Sequence, residues 1–290
     1  GTRSNGRPKQ GEYGSRRIRS LQDGDRCSRK WRVEAGMRSS GSPSHILSSK
    51  VTNSIPENGP LSRYVPEMPP APIIFDFDST LCAVESLDRL AGIVLVDDPE
   101  TEAKVAEIER LTNLGMEGAI PLSESLSRRL ATLRFDRTQL EALIKDLQEQ
   151  LTPGLPEDIG WIQTHAERLH VVSGGFIDWI APVLIPFGFR ADQIHANVLQ
   201  WKKDHSVGFN QDHPLAHNGG KPELARDLGL GPNTGLIAVG DGISDLELKR
   251  TGVAERFVAY TAHAQRHVVI SEADAEATNW ADLRELLDQA

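Results

Sequence analysis

The alternation of short apolar runs with longer amphipathic segments after Met68 is the feature that most constrains the fold. The apolar runs cover 72–77, 168–173, 235–240 and 256–260, and each has the length of a buried strand. Segments with helical periodicity separate them. Strands that alternate with helices predict an α/β fold, a Rossmann-like parallel sheet with helices packed against it.

Residues 84–150 carry helical patterns and no strand signal. The stretch 98–115 opens with acidic residues, 121–133 starts at a proline, and 137–151 is amphipathic until the sequence LTPG interrupts it. We expect this block to be an inserted helical bundle that packs over the carboxyl edge of the sheet. Elsewhere the pattern predicts a strand at 194–201 followed by a hairpin, and helices at 156–167, 176–187, 220–228, 243–250, 262–269 and 280–288.

These patterns divide the chain into a tail (1–67), a catalytic core (68–83 and 152–290) and a helical cap (84–151). The tail holds 13 Lys and Arg against 6 Asp and Glu, whereas the rest of the chain holds 19 against 35. Because the tail has few periodic apolar positions, we expect it to be disordered. It fits a basic arm for nucleic acid, an organellar transit peptide, or dispensable upstream sequence.

Cysteine content and hydropathy exclude several classes of protein. Cys27 and Cys82 are the only cysteines, so we expect no disulfide framework and a reducing compartment, the cytoplasm unless the tail directs the chain to an organelle. No apolar run approaches the roughly 20 residues that span a bilayer, so no membrane partner is expected. The acidic balance after the tail argues against a nucleic-acid partner.

Polar residues follow three of the predicted strands. Since the carboxyl ends of parallel strands share one edge of a sheet, we expect these residues to lie close together. They are Asp76 and Asp78 after the first strand, Ser173, Gly174 and Gly175 after the second, and Asp241 and Asp245 after the third.

The residue types at this edge predict phosphoryl-transfer chemistry. Asp76, Asp78 and Asp241 offer oxygen atoms around one point, which is tolerable when a hard cation such as Mg²⁺ neutralises them. Ser173, the amides of the double glycine and Lys221 supply donors for a dianion. Carboxylates for a metal opposite donors for a phosphate are what phosphoryl transfer requires.

Four short motifs carry a resemblance to a known family. They are DFDSTLC (76–82), SGGF (173–176), GGK (219–221) and GDGISD (240–245). Together they resemble the four motifs of the haloacid dehalogenase superfamily and, within it, of the phosphoserine phosphatases. The resemblance covers about residues 72–288 and does not extend to the tail.

The resemblance implies a role for each motif residue. It implies that Asp76 is the nucleophile that becomes an aspartyl-phosphate and that Asp78 is the general acid and later the base. Mg²⁺ would be bound by Asp76, the backbone carbonyl of Asp78 and Asp241, and Asp245 would orient either the water molecules of the metal or Lys221 without binding the metal itself. The implied phosphate-binding residues are Ser173, Gly174 and Lys221.

Substrate choice is expected to come from the cap. The resemblance implies that Glu85 meets a substrate ammonium, that Arg129 binds its carboxylate, and that Met116 closes over its carbon atoms. The two charges also fit ordinary exposed helix residues, and Met116 fits core packing. We therefore expect hydrolysis of O-phosphoserine. The alternatives are another small metabolite phosphate, phosphotransfer to an alcohol, or a nucleic-acid-binding protein that acts through the tail.

Overall fold

The computed structural model describes residues 70–202 and 207–289, and a parallel sheet forms its central layer. The strands are β1 (Ile73–Phe75), β2 (Leu169–Phe176), β3 (Ile194–Asn197), β4 (Leu199–Trp201), β5 (Val207–Phe209), β6 (Ile237–Gly240), β7 (Arg256–Tyr260) and β8 (Ala275–Ala277). Six of them form one sheet in the order β3-β2-β1-β6-β7-β8, with every pair parallel. β4 and β5 form a separate antiparallel hairpin.

Helices cover both faces of this sheet and form the insertion after β1. They are α1 (Ser86–Val94), α2 (Thr101–Met116), α3 (Leu122–Thr132), α4 (Arg137–Glu149), α5 (Ile159–His165), α6 (Ile177–Leu184), α7 (Gly220–Asp227), α8 (Ile243–Arg250), α9 (His267–Glu272) and α10 (Trp280–Asp288). None of the helices in the described part of the chain is long and apolar enough to cross a membrane.

The sheet is buried on both faces because helices pack against each of them. Successive side chains of a strand point to opposite sides, so one strand contributes to two cores. Ile73 and Phe75 pack in a core with α5, α6 and α10, whereas Ile74 packs in a second core with α7, α8 and α9. Burial on both faces explains why the central strands read as continuous apolar runs. It leaves the ends of the strands as the place where polar side chains can gather.

The inserted helices α1–α4 leave and rejoin the sheet at one point. Cys82 pairs with Leu151 in an antiparallel bridge. The flanking backbone adds two hydrogen bonds, from Ala83 N to Gln150 O at 2.8 Å and from Thr152 N to Leu81 O at 3.0 Å. The loop after β1 covers Phe77–Leu81. The insertion therefore begins immediately beside the carboxyl end of β1.

The predicted fold class, a parallel α/β sheet with an inserted helical bundle, is confirmed. β7 and the helices α8 and α10 have the predicted bounds. The expectations for the tail 1–67 and for the hairpin turn at 203–206 lie outside the described residues.

Two sequence expectations within the described residues are wrong, and one strand was missed. The predicted helix 262–269 is an irregular segment followed by the short helix α9. The predicted strand 194–201 is two strands, because β3 belongs to the main sheet and β4 turns away to pair with β5. The edge strand β8 was not predicted, since its sequence Ala-Glu-Ala has no β-branched or aromatic residue.

Candidate active site

The candidate site lies at the carboxyl ends of β1, β2 and β6, at the point where the strand order of the sheet reverses. The chain runs from β1 to β2 and β3 on one side, then crosses back to β6 on the other. A crevice forms at such a reversal because the connections on its two sides leave in opposite directions. Asp76 follows β1, Ser173 lies near the end of β2, and Asp241 follows β6, so all three predicted residues reach this crevice.

A buried lysine lies between two carboxylates of the site. Lys221 is in the first turn of α7, and its Nζ lies 3.0 Å from Asp76 Oδ2 and 2.6 Å from Asp245 Oδ1. Burial alone would lower the pKa of the Lys221 ammonium, but the two carboxylates outweigh burial and raise it. Lys221 therefore keeps its charge and holds the Asp76 side chain in one orientation.

Three carboxylates gather around this lysine. Oxygen atoms of Asp76, Asp241 and Asp245 lie within 4.8 Å of one another, and all three residues are buried. Both Asp245 oxygens are engaged, one by Lys221 and one by the backbone N–H of Gly242 at 3.1 Å. Burial raises the pKa of Asp245 to about 7, against the opposing attraction of Lys221. A cation bound here would thus meet Asp76 and Asp241 first, with Asp245 behind them.

Gly240 shows how closely these groups pack. A Cβ atom at this position would lie 2.2 Å from the Asp245 carboxyl carbon, a distance that no side chain tolerates. The glycine that ends β6 is therefore needed so that Asp245 can turn back from α8 toward Lys221. The first glycine of the GDGISD motif has a packing reason of its own.

Arg266 is a site residue that sequence reasoning missed. Its guanidinium lies against the Asp241 carboxylate, and its Nη1 donates to the Asp241 carbonyl oxygen at 3.2 Å. Its Nη2 lies 3.9 Å from Glu85 Oε1. Arg266 reaches the site because the segment before α9 is irregular, whereas the sequence predicted a helix there. An arginine at an element boundary with no motif around it carries no signal for this position.

The Asp78 side chain, in the loop after β1, is held by Ser86 at the start of α1. Both Asp78 oxygens accept hydrogen bonds at 3.0 Å from Ser86, one from its N–H and one from its hydroxyl. Burial raises the pKa of Asp78 well above its ordinary value, and the charges of Glu85 and Asp76 raise it further. The protonated form of Asp78 is therefore favoured, which is what a proton donor requires. Ser86, the first residue of α1, was not singled out by the sequence.

Ser79 gives this loop its shape. Its φ of 52° lies in the left-handed region, which is uncommon for a residue other than glycine. The loop is closed by a hydrogen bond from Cys82 N to Phe77 O at 2.9 Å. The Ser79 hydroxyl donates to Glu85 Oε1 at 2.7 Å, so one strained residue links the catalytic loop to the start of the cap.

The Ser-Gly-Gly segment lies opposite the acidic loop. The Oγ of Ser173, a fully buried residue, accepts a hydrogen bond from Gly175 N at 3.1 Å. A Cβ at Gly175 would lie 3.5 Å from an Asp78 oxygen, and one at Gly174 would lie 3.3 Å from Leu122 of the cap. The two glycines thus let the backbone approach both the acid and the cap.

Arg129 lies inside the cap rather than on its surface. The residue is 6% exposed, and its Nη1 donates to Thr112 Oγ1 at 2.9 Å. Its Nε is buried without a hydrogen-bond partner. The neighbouring Arg128 is exposed and pairs with Glu107 and Glu124, as ordinary helix charges do. Burial therefore separates the two adjacent arginines and leaves Arg129 with unused donor capacity.

One small cavity joins the cap to the sheet edge. It has a volume of about 40 Å³ and is lined by Asp76, Asp78, Glu85, Met116, Arg129, Ser173, Gly174 and Lys221, among others. Met116, at the end of α2, is half-buried and approaches Gly242 of the core. Every predicted site residue except Asp241 and Asp245 lines this cavity. Those two have carboxylate oxygens within 4.8 Å of the Asp76 carboxylate.

The fold and the site together define a class: parallel-sheet α/β enzymes with an aspartate–lysine centre beneath an inserted helical cap. The model of the haloacid dehalogenase-like hydrolases matches residues 73–250. The chain belongs to that family, and the resemblance that the four motifs indicated is confirmed.

Individual relatives narrow the comparison. The chain is 28% identical to the chloroplastic phosphoserine phosphatase of Arabidopsis thaliana, over 70% of this chain and 66% of that protein. It is 29% identical to the phosphoserine phosphatase of Homo sapiens, over 73% of this chain and 90% of that protein. Among solved structures, a phosphoserine phosphohydrolase-like protein from Francisella tularensis is 32% identical, with a TM-score of 0.66, and the match covers 74% of this chain and 99% of that one.

Proposed function

We propose that this protein is a magnesium-dependent phosphatase that hydrolyses O-phosphoserine to serine and inorganic phosphate. The observation that carries the proposal is the single cavity in which Asp76 and Lys221 face Glu85 and Arg129. The part lined by Asp76, Ser173 and Lys221, which we call the phosphate end, carries groups that suit a phosphate. The part lined by Glu85 and Arg129, the serine end, carries charges that suit a zwitterion. The phosphoserine phosphatases among the relatives support the same substrate.

The residues present fit a magnesium ion. The buried oxygens of Asp76 and Asp241 are close together, and the cationic guanidinium of Arg266 lies against Asp241 Oδ2, so this oxygen faces a place that suits positive charge. Mg²⁺ prefers a few carboxylates combined with water and a substrate phosphate. We assign it to Asp76, Asp241 and the carbonyl of Asp78. When bound, its charge offsets the repulsion between a carboxylate nucleophile and a phosphate dianion.

In the first half-reaction, a carboxylate oxygen of Asp76 attacks phosphorus and the bond to the ester oxygen breaks. Asp78 gives its proton to the departing serine oxygen, so serine leaves as a neutral alcohol. The phosphoryl group is now attached to Asp76. Lys221, the Ser173 hydroxyl and the Gly174 amide donate to its oxygens while charge shifts onto them.

In the second half-reaction, water takes the place of the leaving group. Asp78, now a carboxylate, removes a proton from that water, and the oxygen attacks phosphorus. The bond between phosphorus and Asp76 breaks, and inorganic phosphate is released. Both carboxylates return to their starting protonation states, so the cycle balances.

The cap supplies the charges for serine. Arg129 has a free Nε and a planar guanidinium suited to a carboxylate. Glu85, fixed by Ser79, offers a carboxylate to the substrate ammonium. Met116 stands between them and the core and would contact the substrate carbon atoms. We assign residues 84–151 to this cap and 68–83 with 152–290 to the core.

A panel of phosphate esters tests the proposal. Phosphate release should be fastest from O-phosphoserine and much slower from p-nitrophenyl phosphate, phosphoethanolamine and a nucleoside monophosphate. If O-phosphoserine ranks no better than p-nitrophenyl phosphate, the substrate assignment fails. Release of serine without stoichiometric inorganic phosphate, in the presence of an alcohol, would point to phosphotransfer instead of hydrolysis.

Removal of divalent metal should abolish turnover. After dialysis against EDTA we expect no measurable phosphate release, and added Mg²⁺ should restore it, because Lys221 is shared between Asp76 and Asp245 and does not by itself offset the repulsion between Asp76 and a phosphate dianion. Activity against metal concentration is the measurement, with Asp241→Asn as a variant that should need more Mg²⁺. Full activity after chelation would contradict the metal assignment.

Substitution of Arg129 should damage serine recognition selectively. For Arg129→Met we expect kcat/KM to fall about 10- to 100-fold with O-phosphoserine, the value of a charged hydrogen bond, and little with p-nitrophenyl phosphate. Arg128→Met is the matched control, since its side chain is exposed and should leave both reactions unchanged. Equal losses on the two substrates would show that Arg129 only supports the cap.

The compartment follows from the thiols. Cys82 is buried at the junction of core and cap, and burial raises its thiol pKa to about 12, so it is an unreactive packing residue. Two cysteines offer no disulfide framework, and on that ground we propose the cytoplasm, with an organelle as the alternative if the tail acts as a transit peptide. Imaging the full chain with and without residues 1–67 distinguishes the two.

A further inference from the structure

Asn197 connects two segments of the active site that are distant in the chain. It is the last residue of β3 and is fully buried. Its Nδ2 donates to the Gly174 carbonyl at 2.9 Å and to the Leu215 carbonyl at 3.1 Å. Both amide hydrogens are thus used, and each reaches a different side of the phosphate end of the cavity.

The first of these contacts acts on the Ser-Gly-Gly segment. The carbonyl of Gly174 belongs to the same peptide unit as the N–H of Gly175, which donates to the Oγ of Ser173, a residue assigned to the phosphoryl oxygens. A peptide unit is planar, so fixing its carbonyl also fixes the direction of its N–H. β2 and β3 change register between Val172 and Phe176, so regular strand pairing does not hold this peptide in place.

The second contact acts on the segment that carries Lys221. Leu215 lies in the turn Pro214–Ala216, which packs against the start of α7. A Cβ on Gly220 would lie 1.8 Å from the Pro214 carbonyl oxygen, so turn and helix are in direct contact. The position of this turn therefore sets the position of Lys221.

The remaining Asn197 atom argues against a role in stability alone. Its Oδ1 is buried and has no hydrogen-bond partner. Burying an unpaired amide oxygen is unfavourable, so the two donor contacts come at a cost to folding. An apolar side chain would remove that cost but leave two buried carbonyls unpaired.

We infer that Asn197 is a positioning residue that, through the Gly174–Gly175 peptide and the turn before α7, holds the Ser173 hydroxyl and Lys221 at the separation a phosphoryl group requires. The inference rests on the proposed function, because it concerns the phosphate end of the same cavity. Asn197 is not among the described residues that line that cavity, so it contacts neither its phosphate end nor its serine end. Its loss should therefore weaken phosphate binding equally for every ester.

The test measures inhibition by inorganic phosphate together with the kinetics of two substrates. For Asn197→Leu and Asn197→Ser we expect the phosphate inhibition constant to rise about 10- to 100-fold, the cost of a misplaced binding group. The KM values for O-phosphoserine and p-nitrophenyl phosphate should rise by the same factor. Asn197→Ser is small enough to fold if the leucine variant does not.

Trp161→Phe is the matched control for stability. Its Nε1 donates to Asp288 at 2.6 Å in the packing of α5 on α10, so the variant also loses a partly buried hydrogen bond. It should lower the melting temperature without changing the phosphate inhibition constant. If the Asn197 variants behave in the same way, Asn197 is merely structural and the inference is overturned.

Failure of the inference and failure of the proposed function can be told apart. Wild-type protein that neither cleaves the esters nor is inhibited by phosphate would sink the proposed function. Wild-type protein that does both, with Asn197 variants that bind phosphate equally well, would overturn only the role of Asn197.

Discussion

Asp76→Asn is expected to abolish phosphate release, by about 10⁴-fold or more, while the protein stays folded. An amide of the same shape is not a nucleophile toward phosphorus, and loss of a nucleophile removes the covalent route altogether. Folding should survive because Lys221 keeps its partner Asp245, so the substitution leaves a neutral buried pair. Single-turnover assays and circular dichroism melting curves measure the two effects.

Asp274→Asn provides the matched control for this change. Asp274 also pairs with a lysine, Lys249, at 2.8 Å and accepts a backbone hydrogen bond from Phe257 at 2.8 Å, but it lies outside the cavity. It should change activity little. Retention of more than a tenth of wild-type activity by Asp76→Asn would remove Asp76 from the nucleophile position.

Lys221→Met should be both inactive and unstable. The methionine fills a similar volume, but it leaves Asp76 and Asp245 buried beside each other without a cation. Removing one partner from a buried ion pair typically costs about 3–5 kcal/mol of folding free energy. Phosphate binding is lost as well, because the ammonium contacts the phosphoryl oxygens in the proposed reaction. Urea unfolding, analysed with unchanged m values, gives the free energy of unfolding.

The double variant Lys221→Met/Asp245→Asn separates the two effects. Replacing Asp245 removes one of the uncompensated carboxylates, so stability should return in part while activity stays absent. Rescue of activity along with stability would mean that Lys221 serves only to keep the site folded. A single Lys221→Met variant as stable as wild type would contradict the buried ion pairs themselves.

The strand ends were readable from the sequence because their signals are local. A run such as Ile73-Ile74-Phe75 followed by Asp76 needs only nearest-neighbour patterns to be recognised, and parallel topology then brings such ends together. The metal-facing cluster of Asp76, Asp241 and Asp245 follows from that topology. Residue roles remain predictions to be tested by the variants above.

Residues that support the site were not readable in the same way. Ser86, Asn197 and Arg266 lie far from one another in sequence and belong to no motif. Each reaches the site through a contact that depends on how a loop or helix packs. The expected helix at 262–269 concealed Arg266, since helical periodicity says nothing about a segment that breaks before α9.

The adjacent arginines of α3 show the difference between what the sequence determines and what depends on the tertiary structure. Sequence alone predicted that carboxylates and a lysine meet at one edge of a parallel sheet, because strand periodicity and short-range motifs encode it. The family resemblance pointed to Arg129, but residue chemistry alone does not separate it from the adjacent Arg128. Adjacent helix residues point about 100° apart, and only the packing of α3 against α2 turns Arg129 inward and leaves Arg128 in solvent.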